Sequence, residues 1–304
     1  MPLELFLSPS LKLLHILLVE TIKGEKRMIT LKSFITEIEL VTKINLVFSQ
    51  KPALKSFALD NPFRVVFDFS KVQGISPKEI PVNKYKIREI RFAQYQPEVM
   101  RLVVEGEEVL FYEVKSSQNT VSIEVWANLL KGRKIVLDAG HGGKDPGALG
   151  AFGLKEKDVT LKLVLAGKVL IEKLGGEVVL TRDKDVFIPL PQRVKIANSS
   201  NAQAFISVHL NAADDSTANG IETYYKDHRE DSQKLAQALQ QSLIREFDLK
   251  DRGVKTATFY VIKNIRLPAV LTEVGFITNP QEIKLIESPA GAARFARVLA
   301  KTLL

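Results

Sequence analysis

The chain has 304 residues, 45% hydrophobic and 26% charged, with enough apolar material for a sizeable core, so disorder over its whole length is excluded. It contains no cysteine, which removes disulfide scaffolds, thiolate metal sites, cysteine nucleophiles and thiol redox chemistry together. The net charge of +8 favours an anionic partner, whether nucleic acid, a membrane surface or an acidic wall polymer.

At roughly 150 residues per domain, the length suggests two domains. Residues 1–27 read as an uncertain leader or a packed helix. Their apolar stretch from Leu11 to Val19 contains Lys12 and His15 and ends at Glu20. That is far short of the ~18–20 apolar residues a spanning helix needs. It also lacks the basic start and small-residue cleavage site of an export signal. No other segment reads as a membrane span, so an integral membrane protein is not expected.

Residues 28–130 show short runs with period-two alternation, at 44–50, 64–70, 86–95, 100–106, 109–115 and 120–126, broken by turns such as Asn61-Pro62 and Gln96-Pro97. Many short strands with regular turn signals predict a small all-β sandwich. The tripeptide Lys131-Gly132-Arg133 reads as a linker, and the texture then changes. Over 131–304, strand-like runs at 134–140, 177–183, 204–210, 220–225, 258–263 and 269–276 alternate with helical patterns at 155–174, 190–199, 231–247 and 289–303. This predicts an α/β fold with a mixed, mostly parallel sheet flanked by helices. The first 130 residues carry +2 of the net charge and the remainder +6.

Open α/β sheets bind ligands beyond the carboxyl ends of their strands. IVLDAG ends at His141, AFISV at His209 and AVLT at Glu273, while Glu156 opens the first long helix. Two histidines and two carboxylates therefore converge on one rim from four distant places in the sequence. Two histidines and a carboxylate suit a catalytic zinc with an open position for water, and a further carboxylate can take the water's proton. Other readings of single residues stay open. The glycine-rich turn after Asp138 could cradle phosphate, His209 could be a hydrogen-bonded core histidine, and Glu156 could answer a helix dipole. A carboxylate at Glu273 among apolar neighbours is costly to bury unpaired. His15 and His228 lack this setting.

With these residues in place, the sequence resembles the zinc-dependent N-acetylmuramoyl-L-alanine amidases of the type-3 amidase fold. The likeness runs through IVLDAGHGGKDPGA, GLKEKDVTL, LTRD, PLPQRVKIAN, FISVHLNA, GIETYY, RGVKTATFYVI and PAVLTEVGFITNPQE, covering residues 133–304. It implies one catalytic Zn2+ on His141, Glu156 and His209, with Glu273 as the catalytic carboxylate. The implied reaction is hydrolysis of the amide between the lactyl group of N-acetylmuramic acid and L-alanine of the stem peptide. Arg193 and Asn198, in the R-x-x-x-A-N helix, and Arg252, in RGVK, are candidate substrate contacts. Backbone amides of Gly142 and Gly143 are candidate oxyanion donors.

Residues 28–130 resemble the β-rich AMIN domain that often precedes such amidases and serves wall binding or targeting. The likeness rests on Leu59, Asn61, Pro62, Arg64, Val66 and Asp68 and on the following IREIRFAQYQPEVMRLVVE. Asp68 could equally answer a nearby arginine.

The expected partner is peptidoglycan, with activator or divisome proteins as further candidates; no nucleic-acid motif is present, so no nucleic acid is expected. The substrate places the protein in the periplasm or at the cell wall, although no convincing export signal is visible. Leu210, after the third ligand, either narrows the pocket or packs. The loop between GIETYY and the helix at 231 is short, which predicts that no blocking helix is inserted there. A zinc peptidase of other specificity or a non-catalytic wall-binding regulator are the competing functions; the intact ligand set argues against the latter.

Overall fold

In a computed structural model that describes residues 28–304, the alternating runs of the N-terminal part become antiparallel strands. The expectation for residues 1–27 lies outside the described residues. The chain divides into two compact units, one ending at Leu129 and the other beginning at Leu130.

The first unit contains β1 (Leu31–Glu37), β2 (Thr42–Phe48), β3 (Ala53–Leu59), β4 (Arg64–Ser70), β5 (Lys78–Lys84), β6 (Ile87–Gln96), β7 (Val99–Gly106), β8 (Leu110–Ser117) and β9 (Thr120–Ala127). They form a sheet of order β1-β2-β9-β8 and a second of order β3-β4-β7-β6-β5. Alternation decides which side chains face inward. In β2, Thr42, Ile44, Leu46 and Phe48 are buried, while the residues between them are more open. The two sheets meet over one core, where Phe34 packs on Phe92 at 4.7 Å and Phe48 on Phe69 at 5.2 Å between ring centroids. On the second sheet, Arg101 donates two hydrogen bonds to Asp68, at 2.7 and 2.8 Å, so Asp68 answers an arginine across neighbouring strands.

The second unit runs β10 (Lys134–Ala139), α1 (Glu156–Lys173), β11 (Glu177–Leu180), α2 (Leu190–Asn198), β12 (Ala204–Asn211), β13 (Ile221–Tyr225), α3 (Glu230–Phe247), β14 (Asp251–Thr256), α4 (Tyr260–Asn264), β15 (Ala269–Phe276), α5 (Pro280–Ile286) and α6 (Pro289–Thr302). The sheet order is β11-β10-β12-β15-β13-β14. It is mixed: β10 runs parallel to β11 and β12, β12 to β15 and β13 to β14, whereas β13 is antiparallel to β15.

Helices cover both faces. Val136 clusters with Ala197 of α2 and Val261 of α4. Its neighbour Leu137 points the opposite way, as successive strand residues must, toward Gly167 of α1 and Leu299 of α6.

One expected strand is corrected. Residues 258–263 (TFYVIK) have strand-like composition, but Tyr260–Asn264 form α4. Val261 and Ile262 are consecutive and both buried, which a two-sided alternation does not provide; packing against α2 overrides local propensity.

The start of α5 is fixed by Asn279, whose side chain accepts hydrogen bonds from the Gln281 and Glu282 amides. Losing such a cap costs about 1 kcal/mol. Asn279→Ala is therefore expected to lower the unfolding free energy by that amount, read as a lower denaturant midpoint at unchanged slope; an unchanged midpoint would remove the cap from this account.

Candidate metal centre

His141 follows directly on β10, His209 lies in β12, Glu273 in β15, and Glu156 is the first residue of α1. Parallel pairing of β10 with β12 and of β12 with β15 brings three of these to one rim, and His209 lies opposite Glu273 in register. Close approach requires glycine at two places. A Cβ on Gly140 would stand 2.4 Å from the His209 ring. At Gly147, φ is +65° and a Cβ would stand 2.6 Å from Glu156 Oε2.

One ligand atom from each of His141, Glu156 and His209 lies within 4.8 Å of the others. Glu156 is 4% exposed, and both of its oxygens are held. Oε1 lies 2.9 Å from His209 Nδ1 and accepts the Leu210 amide at 3.1 Å. Oε2 lies 3.1 Å from His141 Nε2 and accepts the Ala148 amide at 2.9 Å. Burial pushes the Glu156 pKa up, but the hydrogen bonds and charges of the two histidines outweigh it and hold the carboxyl well below its usual range. The other nitrogen of His141, Nδ1, lies 2.9 Å from Asp145 Oδ2, an orienting contact of the kind that fixes ligand histidines.

Glu273 is set differently. Its Oε2 is buried with no hydrogen-bond partner among the described residues. Burial, reinforced by the negative charges of Glu156 and Glu222, pushes its pKa up to about 7 against the opposing pull of the histidines.

Beneath the cluster sits a buried ion pair that sequence reading did not single out. Asp138 Oδ1 accepts from Arg193 at 2.7 Å and from Thr181 at 2.6 Å, and Oδ2 accepts from Ser207 at 2.7 Å. Arg193 also donates to the carbonyls of Ala139 (2.6 Å), His141 (2.6 Å) and Ile188 (2.8 Å). Arg182 ties the Gly140 and Lys157 carbonyls from the other side, at 2.7 and 2.8 Å. A charged residue inside the apolar run IVLDAG was the signal available for Asp138.

The three candidate substrate contacts are placed apart. Arg193 borders the cavity, with its donors committed to Asp138 and the backbone. Asn198 bonds the Asn264 carbonyl and the Arg266 amide, fastening α2 to the end of α4. Arg252 donates to Glu222 at 3.0 Å and lies over the Phe276 ring. The expected oxyanion role of Gly142 and Gly143 is corrected, because their amides already donate to the Asp145 carbonyl and to Asp185. Leu210 is buried and packs. His228 is 93% exposed beside Asp227, away from the cluster, and His15 lies outside the described residues. Only residues 226–229 separate β13 from α3, so no helix is inserted there.

A cavity of about 440 Å³ opens on this arrangement, lined by His141, His209 and Glu273 together with apolar residues of α2 and α4. A strand-end rim with two imidazoles, a fixed carboxylate and an unpartnered carboxylate is a candidate metal site on an α/β sheet, with a donor set of the kind hydrolases use.

Residues 135–304, more than half of the chain, match the N-acetylmuramoyl-L-alanine amidase family model, and the protein belongs to that family. Residues 36–130 match the AMIN domain. The chain is 39% identical over 188 residues to the N-acetylmuramoyl-L-alanine amidase LytC of Bacillus subtilis, covering 60% of this chain and 38% of that protein. Among solved structures it resembles the amidase AmiC2 of Nostoc punctiforme, with 37% identity, a TM-score of 0.54, and coverage of 57% of this chain and 96% of that one. It also resembles the CwlD amidase of Clostridioides difficile in complex with the GerS lipoprotein, with 35% identity, a TM-score of 0.54, and coverage of 56% and 96%.

Proposed function

We propose that the protein hydrolyses the amide between the lactyl group of N-acetylmuramic acid and L-alanine of the stem peptide. The observation that carries this reading is the proximity of His141, Glu156 and His209 beside an unpartnered buried carboxylate, Glu273, on one cavity. Imidazole and carboxylate donors without thiolate suit zinc, and the orphaned Glu273 oxygen calls for a polar or cationic neighbour.

His141, Glu156 and His209 would hold a zinc ion, which would supply Lewis acidity toward the scissile carbonyl and the attacking water. Glu156, fixed through both oxygens, orients the set without rearranging. Glu273 accepts the proton of the attacking water at Oε2 and returns it to the leaving amine of alanine.

The N-terminal unit, residues 28–130, is a wall-binding or targeting module in this reading, and the protein works at the cell wall or in the periplasm. By analogy with CwlD in complex with GerS, a partner protein is a reasonable regulator. Among the described residues no helix is long and apolar enough to cross a membrane.

Digestion of purified peptidoglycan tests the reading. The wild type is expected to release stem peptides with N-terminal alanine and to leave the glycan intact. Metal-stripped protein is expected to release none until zinc is restored. Cleavage between two amino acids of the stem would make this a peptidase instead, and full activity after metal removal would end the metal mechanism.

A further inference from the structure

Four large apolar side chains stay in solvent around the cavity while their neighbours enter the core. Phe187 is 40% exposed, Leu190 49%, Phe259 43% and Tyr260 44%, and all four line the same cavity as His141, His209 and Glu273. Exposed apolar surface gathered around one cleft marks a binding surface. Its walls are fixed. Phe259 packs edge-on against Tyr224 at 5.2 Å, Lys144 covers the Phe187 ring at 4.9 Å, and Asn198 fastens α2 to the segment following α4.

The charged residues bordering the cleft are also telling. They are Asp138, Asp145 and Glu273 against Arg193, and Arg193 is already paired with Asp138. Among the described residues lining the cleft, Arg193 is the one cation, and Lys144 lies at the rim over the Phe187 ring.

Positive charge lies outside the cleft lining, on β14. Arg252 and Lys255 both bond Glu222, two cations on one carboxylate, and Glu222 stands opposite Glu273 across the β13–β15 pairing. The scissile bond of the proposed substrate joins two chemically unlike halves. One is an uncharged sugar with apolar C–H faces and acetamido methyls; the other is a peptide bearing carboxylates.

Resting on the amidase reading above, we infer that the cleft between α2 and α4 is the glycan subsite, Phe259, Tyr260 and Leu190 packing on sugar faces, while the stem peptide runs toward Arg252 and Lys255. This orients the substrate across the sheet rim. The uncharged half meets the apolar wall, and the anionic half meets Arg252 and Lys255, two cations that share the single carboxylate of Glu222.

Competition experiments on the full-length zinc-loaded protein separate the two halves. The probes are a peptide-free tetrasaccharide of alternating N-acetylglucosamine and N-acetylmuramic acid whose lactyl carboxyls are capped as primary amides, so that it is uncharged like the substrate's glycan, and the free stem peptide, each inhibiting release of stem peptides from peptidoglycan. Phe259→Ala and Tyr260→Ala are expected to raise the inhibition constant of the tetrasaccharide about tenfold and to leave that of the stem peptide within about twofold. Phe259→Tyr is expected to restore it. Arg252→Ala with Lys255→Ala is expected to do the reverse, weakening the stem peptide alone. Leu190→Ala, on the opposite wall, supplies the same reading if an aromatic variant fails to fold by thermal transition.

The inference is overturned if the cleft variants weaken the stem peptide instead, if they leave the tetrasaccharide unaffected, or if the tetrasaccharide does not inhibit the wild type. Its failure is distinct from failure of the amidase reading, which is judged by whether the wild type releases alanine-terminated stems at all.

Discussion

Glu273→Gln is expected to reduce the release of stem peptides by about 10²–10⁴-fold, the usual contribution of a positioned proton acceptor. The substitution keeps the shape and a hydrogen-bonding end but removes the ability to take a proton. Glu273 is not one of the clustered ligands, so bound zinc should remain near one per chain, measured on the same sample. That second measurement separates loss of the proton acceptor from loss of the metal. A variant retaining more than about a tenth of wild-type turnover would remove Glu273 from the chemistry.

The pH dependence follows from the same residue. Without a cation, burial pushes its pKa up to about 7. A nearby dication favours the carboxylate, so the acidic limb of kcat/KM in the zinc-loaded protein is expected to lie below that value. Activity falls as pH drops through this limb, because the acceptor becomes protonated.

Arg193→Met is expected to cost about 3–5 kcal/mol of stability, the penalty for leaving a buried charge without its partner. Arg193 and Asp138 are 3% and 1% exposed, so solvent cannot replace the lost contact. Arg193 also holds the carbonyls on both sides of Gly140, so zinc affinity should weaken together with the denaturant midpoint. Arg193→Lys is expected to recover only part, since one ammonium cannot reach all four acceptors.

Burial pushes Asp138 up, but Arg193, Ser207 and Thr181 outweigh it and hold its pKa below the ordinary carboxylate value. In the wild type this stabilisation is complete above the unfolded pKa of ~3.9 and is lost as pH falls through the lower folded value. In the variant the strongest opposing charge is gone and burial raises the pKa. The stability deficit should therefore be greatest near neutral pH and shrink in acid. A deficit independent of pH would mean that the lost packing of Arg193, rather than the unpaired buried charge on Asp138, is responsible.

The readable parts of the sequence were those in which one local rule acted alone. β2, β4, β6, β7 and β9 lie inside their sheets, and their apolar runs are dense enough to stand out, with β2 alternating cleanly. Strands β1, β3 and β5 lie at sheet edges, as does β8, and edge position by itself does not hide a strand. There β3 buries no residue fully, and β5 carries Pro81. β14 is short, polar and interrupted by Gly253 at φ +84°, so only its pairing with β13 defines it. The clustering of His141, Glu156 and His209 was legible because strand ends and a helix start announce themselves locally. The network supporting that cluster was not, since Asp138, Arg182 and Arg193 act through separations of up to 69 residues that no motif spacing encodes.

The antiparallel seam between β13 and β15 sets two glutamates side by side, Glu222 opposite Glu273. The protein treats them as opposites. Around Glu222 it gathers Asn211, Tyr224, Arg252 and Lys255, and the last three hold that carboxyl below its ordinary range against its burial. Glu273 receives no such company. The negative charge of Glu222 instead adds to burial in pushing the Glu273 pKa up. Because β13 and β14 both run against β15, two identical side chains meet at this seam in opposite settings, one held charged by its neighbours and the other disposed to take up a proton.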